Sequence, residues 1–311
     1  MVLFVIGLGL GDERDITLRG LESVKKCTKL YLEYYTSILG IDNKKLSEFY
    51  GVPVILADRN MVESEAEQIY EPAMTENIGL LVVGDPLCAT THTDIILRAR
   101  NLGIEVEIIH NTSVMGAIAS SGLQLYRFGY TISIPYFEEN WRPSSFYQRI
   151  HYNNLGGMHT CALLDIKVKE PNYEAMAMGK VKWMPPRFMS INQAVEQLLE
   201  VEEREGQGLC GPSTRAVGMA RLGQPTQLIV YGTLAELRRI DFGPPLHTLA
   251  LVCRDCAAGE GLGGQGSEAV VGLHPIEEDY LKHFSVASLG DRISYLPEEG
   301  DAESSDVEPD L

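Results

Sequence analysis

The sequence predicts an α/β protein whose first half forms a parallel sheet. Short apolar segments typical of buried strands alternate with segments in which apolar residues recur at helical spacing. Several of these strands end in polar or glycine-rich loops, which is typical of sheets that bind ligands at their strand ends. The chain has 311 residues, of which 45% are hydrophobic, so it is long enough for two domains with separate cores.

The first strand, from Val2 to Ile6, ends in a loop that contains Gly7, Gly9 and Gly11. Its residues are apolar without alternation, as expected for a strand that is buried on both faces. Because glycine has no Cβ, such a loop allows a ligand to approach the backbone closely. The loop alone does not identify the ligand, since similar turns bind many nucleotide-containing molecules and others serve only packing.

The residues after this loop disfavour a dinucleotide ligand. The dinucleotide fingerprint GxGxxG places its third glycine at the start of a helix, whereas this chain has Asp12 there and its helix is predicted to begin near Thr17. Glu33 only imitates the acidic residue that binds the ribose about 20 residues further on. Asp12 and Asp15 would repel a pyrophosphate, so the loop favours a ligand that carries positive charge.

The remaining elements of the first half alternate as a parallel sheet requires. Strands are predicted at 30–32, 52–56, 78–83 and 106–109, and helices in a stretch opened by Asp42, at 62–70 and at 94–102. The strand at 78–83 is followed by GDPLCATTHTD, and the strand at 106–109 by HNTSV. Because parallel strands end at one edge of a sheet, we expect these two stretches and the glycine loop to form one site.

The second half has longer connections between its elements. Pro143 opens a helix, a strand covers 161–164, and Ser190 caps another helix. Further strands are predicted at 216–220, 228–231 and 248–252, an exposed loop at 202–215, and a flexible glycine-rich insertion at about 254–272. We place the domains at 1–114 and 115–296, and an acidic disordered tail at 297–311.

Charge and hydropathy patterning exclude several classes of protein. The net charge is −17, and seven negative charges without a positive one lie in the last fourteen residues, so the body carries −10. The body has no basic stripe, and we expect no nucleic-acid partner. No apolar run approaches the roughly 20 residues that span a bilayer, and the N-terminus lacks signal-peptide features, so we expect a cytoplasmic protein without a membrane partner.

The six cysteines are scattered through apolar segments, which favours free thiols in a reducing compartment. Cys253 and Cys256 form a CxxC pair. However, His247 and His274 do not supply a second ligand pair at a spacing typical of zinc sites. We therefore expect no metal.

Several sequence blocks together resemble one enzyme family. The blocks are GLGLGDERDIT, VVGDPLCATTHTD, IIHNTSVMGAIASSGLQLYRFG, TCALLDIKVKE, PPRFMSINQAVEQLLE, VGMARLG and PLHTL. They resemble the diphthine synthases (diphthine methyl ester synthases), which belong to the class III, tetrapyrrole-methylase-like S-adenosylmethionine methyltransferases. The resemblance runs from Met1 to about Leu251 and resumes at Leu273.

The resemblance implies two αβα domains of the tetrapyrrole methylase type with a ligand cleft between them, usually in a homodimer. It implies S-adenosyl-L-methionine as the methyl donor and S-adenosyl-L-homocysteine as the product, without a metal. The implied substrate, in diphthamide biosynthesis, is a histidine of translation elongation factor 2 that carries a 3-amino-3-carboxypropyl group. Its amine would become a trimethylammonium and its carboxyl a methyl ester. The alternative is a tetrapyrrole (precorrin-type) methyltransferase, which would share the glycine loop and the GDP turn but not the ATTHTD and DIKVKE blocks.

The resemblance also implies which residues bind the donor. They are Leu10, Asp85, Cys88, Ser113, Val114, Leu164, Leu222 and His247. Cys88 departs from the glycine of close relatives, which weakens this contact only if it needs a bare Cα. Asp85 either accepts hydrogen bonds from the donor or caps the turn before Pro86. His247 either bonds the adenine region or lies half-buried near the start of a strand.

The sequence assigns no catalytic residue. Methyl transfer needs an uncharged amine, whereas an ordinary alkyl amine has a pKa of about 10, so desolvation or a proton acceptor has to help. Asp165, Glu170 and a water are the candidates for this acceptor. Lys167 and Lys169 either meet the substrate's carboxylate or are simply solvated.

An aromatic group lies between a strand and Pro143. It consists of Tyr136, Phe137 and Trp141. These rings either surround the trimethylammonium by cation–π contact or belong to the core.

Overall fold

The structure, a computed structural model, describes residues 1–35, 43–170, 182–255 and 271–297, together with the isolated positions 176, 179, 257, 258, 261, 268 and 269. The predictions for Asp42, for Cys256 and most of the glycine-rich insertion, and for the acidic tail from residue 298 onward lie outside the described residues. Within the described ranges, no helix combines the length and the apolar character needed to cross a bilayer.

Five strands of the first half form one sheet in the order β3-β2-β4-β1-β5, and every neighbouring pair is parallel. They are β1 (Val2–Gly7), β2 (Lys29–Glu33), β3 (Val54–Ala57), β4 (Ile78–Val82) and β5 (Glu105–Ile109). The predicted parallel sheet is confirmed. β3 begins two residues later than predicted, after Pro53, which has no N–H to donate to a neighbouring strand.

The order of the strands separates Glu33 from the glycine loop. β4 lies between β1 and β2, whereas the dinucleotide fold places the first two strands side by side. Glu33 is buried at the end of β2 and accepts the backbone N–H of Tyr35 at 3.0 Å. This topology agrees with the rejection of a dinucleotide ligand.

Helices cover both faces of the first sheet. The first helices of the chain are α1 (Leu18–Val24), α2 (Asn43–Tyr50), α3 (Glu67–Tyr70), α4 (Thr93–Asn101) and α5 (Val114–Ala117). α1 begins where predicted, because the Thr17 side chain accepts the N–H of Gly20 at 3.0 Å. Leu3 belongs to the apolar cluster that includes α3 and α4, and its neighbour Phe4 to the cluster that includes α1 and α2. The two faces of β1 are therefore both buried.

The second half forms a mixed sheet. Its strands are β6 (Ile132–Ile134), β7 (Thr160–Leu164), β8 (Ile166–Lys167), β9 (Arg187–Phe188), β10 (Arg215–Ala220), β11 (Leu228–Thr233), β12 (Ile240–Asp241), β13 (His247–Leu251) and β14 (Ser294–Tyr295). The sheet has the order β11-β10-β13-β7-β6, in which only β6 and β7 are parallel to each other. The other strands form the pairs β8-β9 and β12-β14.

Helices also cover both faces of the second sheet. They include α6 (Ser145–Leu155), α7 (Ile191–Glu205), α8 (Leu234–Leu237), α9 (Pro275–Leu281) and α10 (Val286–Leu289). Ser190 caps α7 as predicted, in a capping box with Gln193. Residues of α6 and α7 pack in one apolar cluster against the sheet, and Ile118 and Leu281 in another. Both halves of the chain therefore have αβα layering.

The prediction of an exposed loop at 202–215 is wrong for part of that range. α7 continues to Glu205, and Leu209 and Cys210 are buried. The carboxylate of Glu202 accepts the backbone N–H groups of Gly208, Leu209 and Cys210 at 2.6–2.7 Å. These charge-assisted bonds fold the segment back onto the helix.

Glu277 in α9 anchors the C-terminal segment to the second sheet. Its buried carboxylate accepts the backbone N–H groups of Gln124 and His274 at 2.8 Å and pairs with the Arg127 guanidinium at 2.9 Å. Nε2 of His159 lies 3.3 Å away. Burial raises the pKa of Glu277, but the surrounding donors outweigh burial and lower it.

His159 beside Glu277 is held in its uncharged form. The N–H of Cys253 donates to Nδ1 at 3.2 Å, which requires a lone pair on that nitrogen. Nε2 then carries the proton and points to Glu277. Burial lowers the pKa of His159, although the charge of Glu277 opposes this effect.

We expect Glu277→Gln to lower the free energy of unfolding by about 3 kcal/mol, because Arg127 would keep a largely buried charge without its anionic partner. Chemical denaturation at mildly alkaline pH measures the change. Asp279→Asn in the same helix is the matched control, since Asp279 is exposed and pairs with exposed Lys282. Equal losses of stability in the two variants would contradict the anchoring role.

We also expect stability to fall as the pH drops below about 6.5, the ordinary pKa of histidine. The pKa of folded His159 is lowered, so the unfolded chain binds the proton first and the contribution present above this pH is lost. His159→Gln should show a shallower dependence of stability on pH in this range. Exposed His283, changed to Gln, is the control and should keep the wild-type slope; an unchanged slope in His159→Gln would refute the assignment.

Candidate active site

Three loops at strand ends are joined by hydrogen bonds at one edge of the first sheet. Gly9 after β1 and Gly84 after β4 exchange backbone N–H···O bonds of 3.2 and 2.8 Å. The side-chain amide of Asn111, after β5, donates to the carbonyls of Gly7 and Asp15 at 2.9 and 3.0 Å. The structure therefore brings the glycine loop, the GDP turn and the loop after β5 together, as the sequence predicts.

The glycines of the first loop and of the GDP turn allow close packing between loops. A Cβ on Gly7 would lie 2.7 Å from the carbonyl oxygen of Gly84 and 2.8 Å from Cβ of Asn111. Gly9 and Gly84 both have a left-handed φ, of +77° and +81°. These glycines allow the loops to approach one another, which is the packing role that the sequence left open beside the approach of a ligand.

Asp85 in the GDP turn lies behind the surface of this site. One carboxylate oxygen accepts the N–H of Leu87 at 2.9 Å, and the other accepts the N–H of Asn111 at 3.1 Å and lies 2.8 Å from Nδ1 of His110. Burial raises the pKa of Asp85, but these hydrogen bonds more than offset burial and lower it. Its observed partners are those of a turn-capping carboxylate that also holds the neighbouring loop.

A cleft with about 910 Å³ of empty space, part of it open to solvent, lies at this edge and takes its lining from both halves of the chain. The first half supplies Leu10, Val83, Gly84, Cys88, Ala89, Thr90, Ser113 and Val114; the second half supplies Leu163, Leu164, Ile166, Met219, Arg221, Leu222, Gln224, Leu246, His247 and Thr248. Seven of the eight residues predicted to bind the donor are in this set, and Asp85 is the exception. Most of the lining is apolar, which is typical of small-molecule sites.

Among the described lining residues, Arg221 is the one with a cationic side chain, and this side chain donates its hydrogen bonds to carbonyl oxygens. Arg221 donates to the carbonyls of Thr226, Phe242 and Pro244, and burial lowers its pKa. Its φ of +49° is unusual for a residue with a side chain. Its charge is therefore engaged by backbone carbonyls and stabilises the loop that carries Leu246.

His247 is held by backbone groups at both ring nitrogens. Nδ1 accepts the N–H of Ile191 at 3.3 Å, and Nε2 lies 3.2 and 3.1 Å from the carbonyl oxygens of Gly243 and Pro244. Burial lowers the pKa of His247, so the ring is uncharged near neutral pH. This arrangement corresponds to a half-buried structural histidine whose ring edge lines the cleft.

The turn after Asp85 contains a second unusual backbone position. Ala89 has a φ of +59°, a region that non-glycine residues rarely adopt and that concentrates at functional sites. The neighbouring Cys88 is exposed and does not have a left-handed φ. The backbone conformation of Cys88 therefore does not require glycine, and the residue lines the cleft.

The aromatic group predicted to surround a cation is not part of the cleft. Tyr136 lies 4.7 Å from the Arg187 guanidinium and Phe137 lies 5.8 Å from that of Arg142, measured to the ring centroids. Trp141 is 52% exposed. The two partly buried rings are thus stacked with arginines of the second half, where they belong to the margin of its core.

Two polar cavities continue from the cleft. The first, which we name the Tyr35 cavity, shares Ala89, Leu163, Leu164 and Ile166 with the cleft and is also lined by Tyr35, Arg59, Ser133, Ile134, Pro135 and Asp165. The second, the Lys169 cavity, is lined by Tyr35, Asp58, Arg59, Asn60, Glu63, Ser64, Asp165, Ile166, Lys167, Val168, Lys169, Glu170 and Trp183. Asp165 and Glu170, the predicted proton acceptors, therefore lie next to the cleft and outside it.

Sequence reasoning missed several lining residues of the cleft and its extension. Ala89, Arg221 and Leu246 come from turns whose conformation has no pattern in the sequence. Tyr35 and Arg59 follow β2 and β3, and only the strand order brings these loops to the same edge. The polar residues at these strand ends were the one available signal.

Metal ligands and disulfides are not features of the described part of the chain. No three His, Cys, Asp or Glu side chains are grouped there to hold a metal ion. The described cysteines are all unpaired, and Cys253 is buried with its thiol 2.9 Å from the carbonyl of Gly272. Cys256 lies outside the described residues, so the interpretation of the CxxC pair stays a prediction.

Comparisons with known proteins support the fold and show the family. Residues 2–238 match the tetrapyrrole (corrin/porphyrin) methylase family. An Arabidopsis thaliana protein named "Probable diphthine methyl ester synthase" is 50% identical over 295 residues, which cover 92% of this chain and 99% of that protein. The diphthine methyl ester synthase of Saccharomyces cerevisiae is 48% identical over 285 residues, 91% of this chain and 89% of that protein.

A solved structure gives the same result. A crystal structure of diphthine synthase superposes with a TM-score of 0.75 at 30% identity and covers 93% of this chain and 98% of its own. The family match spans both halves that line the cleft, and the relatives extend over nearly the whole chain. This chain therefore belongs to the tetrapyrrole methylase family and, within it, to the diphthine methyl ester synthases.

Proposed function

We propose that this protein transfers methyl groups from S-adenosyl-L-methionine to elongation factor 2, on the histidine that carries a 3-amino-3-carboxypropyl group. The amine becomes a trimethylammonium and the carboxyl a methyl ester, as one step in diphthamide biosynthesis. The observation that carries the proposal is the convergence of Leu10, Cys88, Ser113, Val114, Leu164, Leu222 and His247 on one cleft. The names of the relatives, at about half identity over most of the chain, supply the substrate.

The residues of the cleft suit a donor that carries a positive charge. S-adenosyl-L-methionine would supply an electrophilic methyl group on a sulfonium. Leu10, Val114, Leu164 and Leu222 would provide apolar walls for it. No free cation faces this space among the described lining residues, since Arg221 is bonded to carbonyls. Repulsion of a sulfonium is thereby avoided.

Catalysis by this site rests on positioning and exclusion of water. Attack at a methyl group requires an aligned nucleophile at near-contact distance, and holding it there removes much of the entropic barrier. Leu163 and Leu164 line both the cleft and the Tyr35 cavity, and their apolar side chains would limit the access of water where the two meet. The nucleophile would reach the cleft through that cavity.

We infer that the active form is a homodimer. We also propose that its two domains cover residues 1–114 and 115–296. The second half carries exposed apolar side chains, including Tyr126, which is fully exposed, and Tyr130 and Tyr280. Exposed aromatic side chains are enriched at protein interfaces. The family resemblance points the same way.

We expect Cys88→Lys to weaken the binding of S-adenosyl-L-methionine roughly tenfold, equivalent to ~1.4 kcal/mol, because an exposed cation at the margin of the cleft would repel the sulfonium. Binding of S-adenosyl-L-homocysteine, which lacks that charge, should change less. Calorimetric titration of both ligands measures the ratio. Cys88→Gln is the neutral control of similar length; equal losses for both ligands in Cys88→Lys would contradict a cationic ligand in this cleft.

We expect the protein to add trimethylammonium and methyl ester groups to elongation factor 2 from cells that lack this enzyme. Mass spectrometry of the modified histidine peptide counts the methyl groups. Elongation factor 2 without the 3-amino-3-carboxypropyl group is the control and should accept none. Transfer to a precorrin-type tetrapyrrole, and none to elongation factor 2, would favour the alternative substrate class.

A further inference from the structure

The Tyr35 cavity contains two charged side chains of opposite sign. Arg59 comes from the first half, two residues after β3, and Asp165 follows β7 in the second half. In the described part of the chain, no ion pair joins these two side chains. The carboxylate within 4.0 Å of Arg59 belongs to Glu63, and the cation within 4.0 Å of Asp165 belongs to Lys167. The cavity has about 590 Å³ of empty space, part of it open to solvent.

Arg59 presents an unused guanidinium to this cavity. It donates no hydrogen bond to any residue that the structure describes, and Glu63 is the one described carboxylate within reach, at 4.0 Å. Its guanidinium lies over the Tyr35 ring, 5.2 Å from the centroid. Stacking fixes the plane of the group while its N–H donors stay available for a carboxylate.

Asp165 is fixed at the boundary between this cavity and the cleft. Its chain neighbours Leu164 and Ile166 both line the cleft. Its N–H donates to the carbonyl of Ile134 at 3.2 Å, and its carbonyl accepts the N–H of Met189 at 3.0 Å. Its carboxylate accepts the N–H of Tyr136 at 3.1 Å and keeps acceptor capacity for a ligand.

The lysines that the sequence suggested for the substrate's carboxylate have other partners. Lys169 is paired with Asp58 and lies 4.6 Å from the Trp183 ring centroid. Lys167 lies between Asp165 and Glu170, at 3.7 and 3.9 Å. Lys169 would have to leave its hydrogen-bonded carboxylate, and Lys167 would have to leave two nearby carboxylates, whereas Arg59 makes no hydrogen bond to its single described acidic neighbour at 4.0 Å.

We propose that the Tyr35 cavity binds the zwitterionic α-amino acid head group of the acceptor, with Arg59 on its carboxylate and Asp165 on its amine. This assignment rests on the proposed function, which supplies an acceptor with such a head group. The fork of Arg59 matches a carboxylate with two parallel N–H···O bonds. The position of Asp165 beside Leu164 turns the amine toward the cleft during N-methylation, and esterification then requires the carboxylate to leave Arg59 and turn toward the donor.

Methylation of the amine in this orientation requires that the nitrogen first lose a proton. The ammonium of the acceptor first gives a proton to Asp165, which passes it to solvent. The freed lone pair forms the new N–C bond while the C–S bond of the donor breaks, and its electron pair stays on sulfur as the thioether. Each methyl group added to the nitrogen thus releases one proton. Esterification of the carboxylate releases none, and it removes the charge that Arg59 binds.

Steady-state kinetics with the modified elongation factor 2 test both residues. Arg59→Gln should raise the KM for the acceptor about 10- to 100-fold while the Kd for S-adenosyl-L-methionine is unchanged. Asp165→Asn should lower kcat by about 100-fold, with a loss that shrinks as the pH rises and the amine loses its proton unaided. Arg98→Gln is the matched control, because Arg98 is a partly exposed arginine paired with Asp94 and lies outside both lining sets.

A binding measurement separates this inference from the proposed function. Saturation-transfer NMR with L-2-aminobutyrate, which carries the same head group, is recorded on protein loaded with S-adenosyl-L-homocysteine, so that the donor's own amino acid group is already present. Wild type and Arg98→Gln should bind this probe at millimolar concentration, and Arg59→Gln and Asp165→Asn should not.

Probe binding and methyl transfer together distinguish failure of the subsite from failure of the proposed function. If wild type binds the probe but transfers nothing to elongation factor 2, the proposed function fails and the subsite stands. If the probe does not bind, or binds equally to all four proteins, the subsite is refuted even when elongation factor 2 is methylated. A larger Kd for the donor in Arg59→Gln, that is, weaker binding, would assign the cavity to the donor's own head group and overturn the inference.

Discussion

The hydrogen bonds that join three strand-end loops are the constraint on which the rest of this structure depends. The backbone pair between Gly9 and Gly84, and the amide of Asn111 on Gly7, place the ends of β1, β4 and β5 side by side. The buried carboxylate of Asp85 stabilises this arrangement by accepting the backbone N–H of Asn111. These bonds leave no room for a Cβ at Gly7. The loops thus form a fixed floor, against which the second half supplies the opposite wall of the cleft.

The distribution of charge depends on that arrangement and separates two compartments. In the cleft, the charge of Arg221 is bonded to carbonyl oxygens and burial keeps His247 neutral, so the walls act as an apolar surface for a cationic ligand. In the adjoining Tyr35 cavity, Arg59 and Asp165 keep unused hydrogen-bonding capacity. The cleft would suit a donor with a sulfonium, because no free cation of its described lining repels it. The Tyr35 cavity would suit a zwitterionic acceptor, because Arg59 and Asp165 can pair with its two charges.

Sequence reasoning predicted the first sheet well, because parallel strands buried on both faces appear as uninterrupted apolar runs with polar loops at their ends. It predicted the second sheet less completely, since a three-residue strand such as Ile132–Ile134 shows no pattern. At the site, Leu10 and Leu222 would pass for core residues by pattern alone, and only the family resemblance distinguished them. For Arg59 the only signal was a polar residue after a strand end, because its place in one cavity with Asp165 depends on the order of strands in one sheet and on the packing of two.

One cleft, built from both halves of the chain, is proposed to hold the methyl donor. A crystal structure of the full chain with S-adenosyl-L-homocysteine tests this proposal most directly. We expect density for the ligand in contact with Leu10, Val114, Leu164 and Leu222. Ligand density in a different cavity, or contacts confined to one half of the chain, would contradict it.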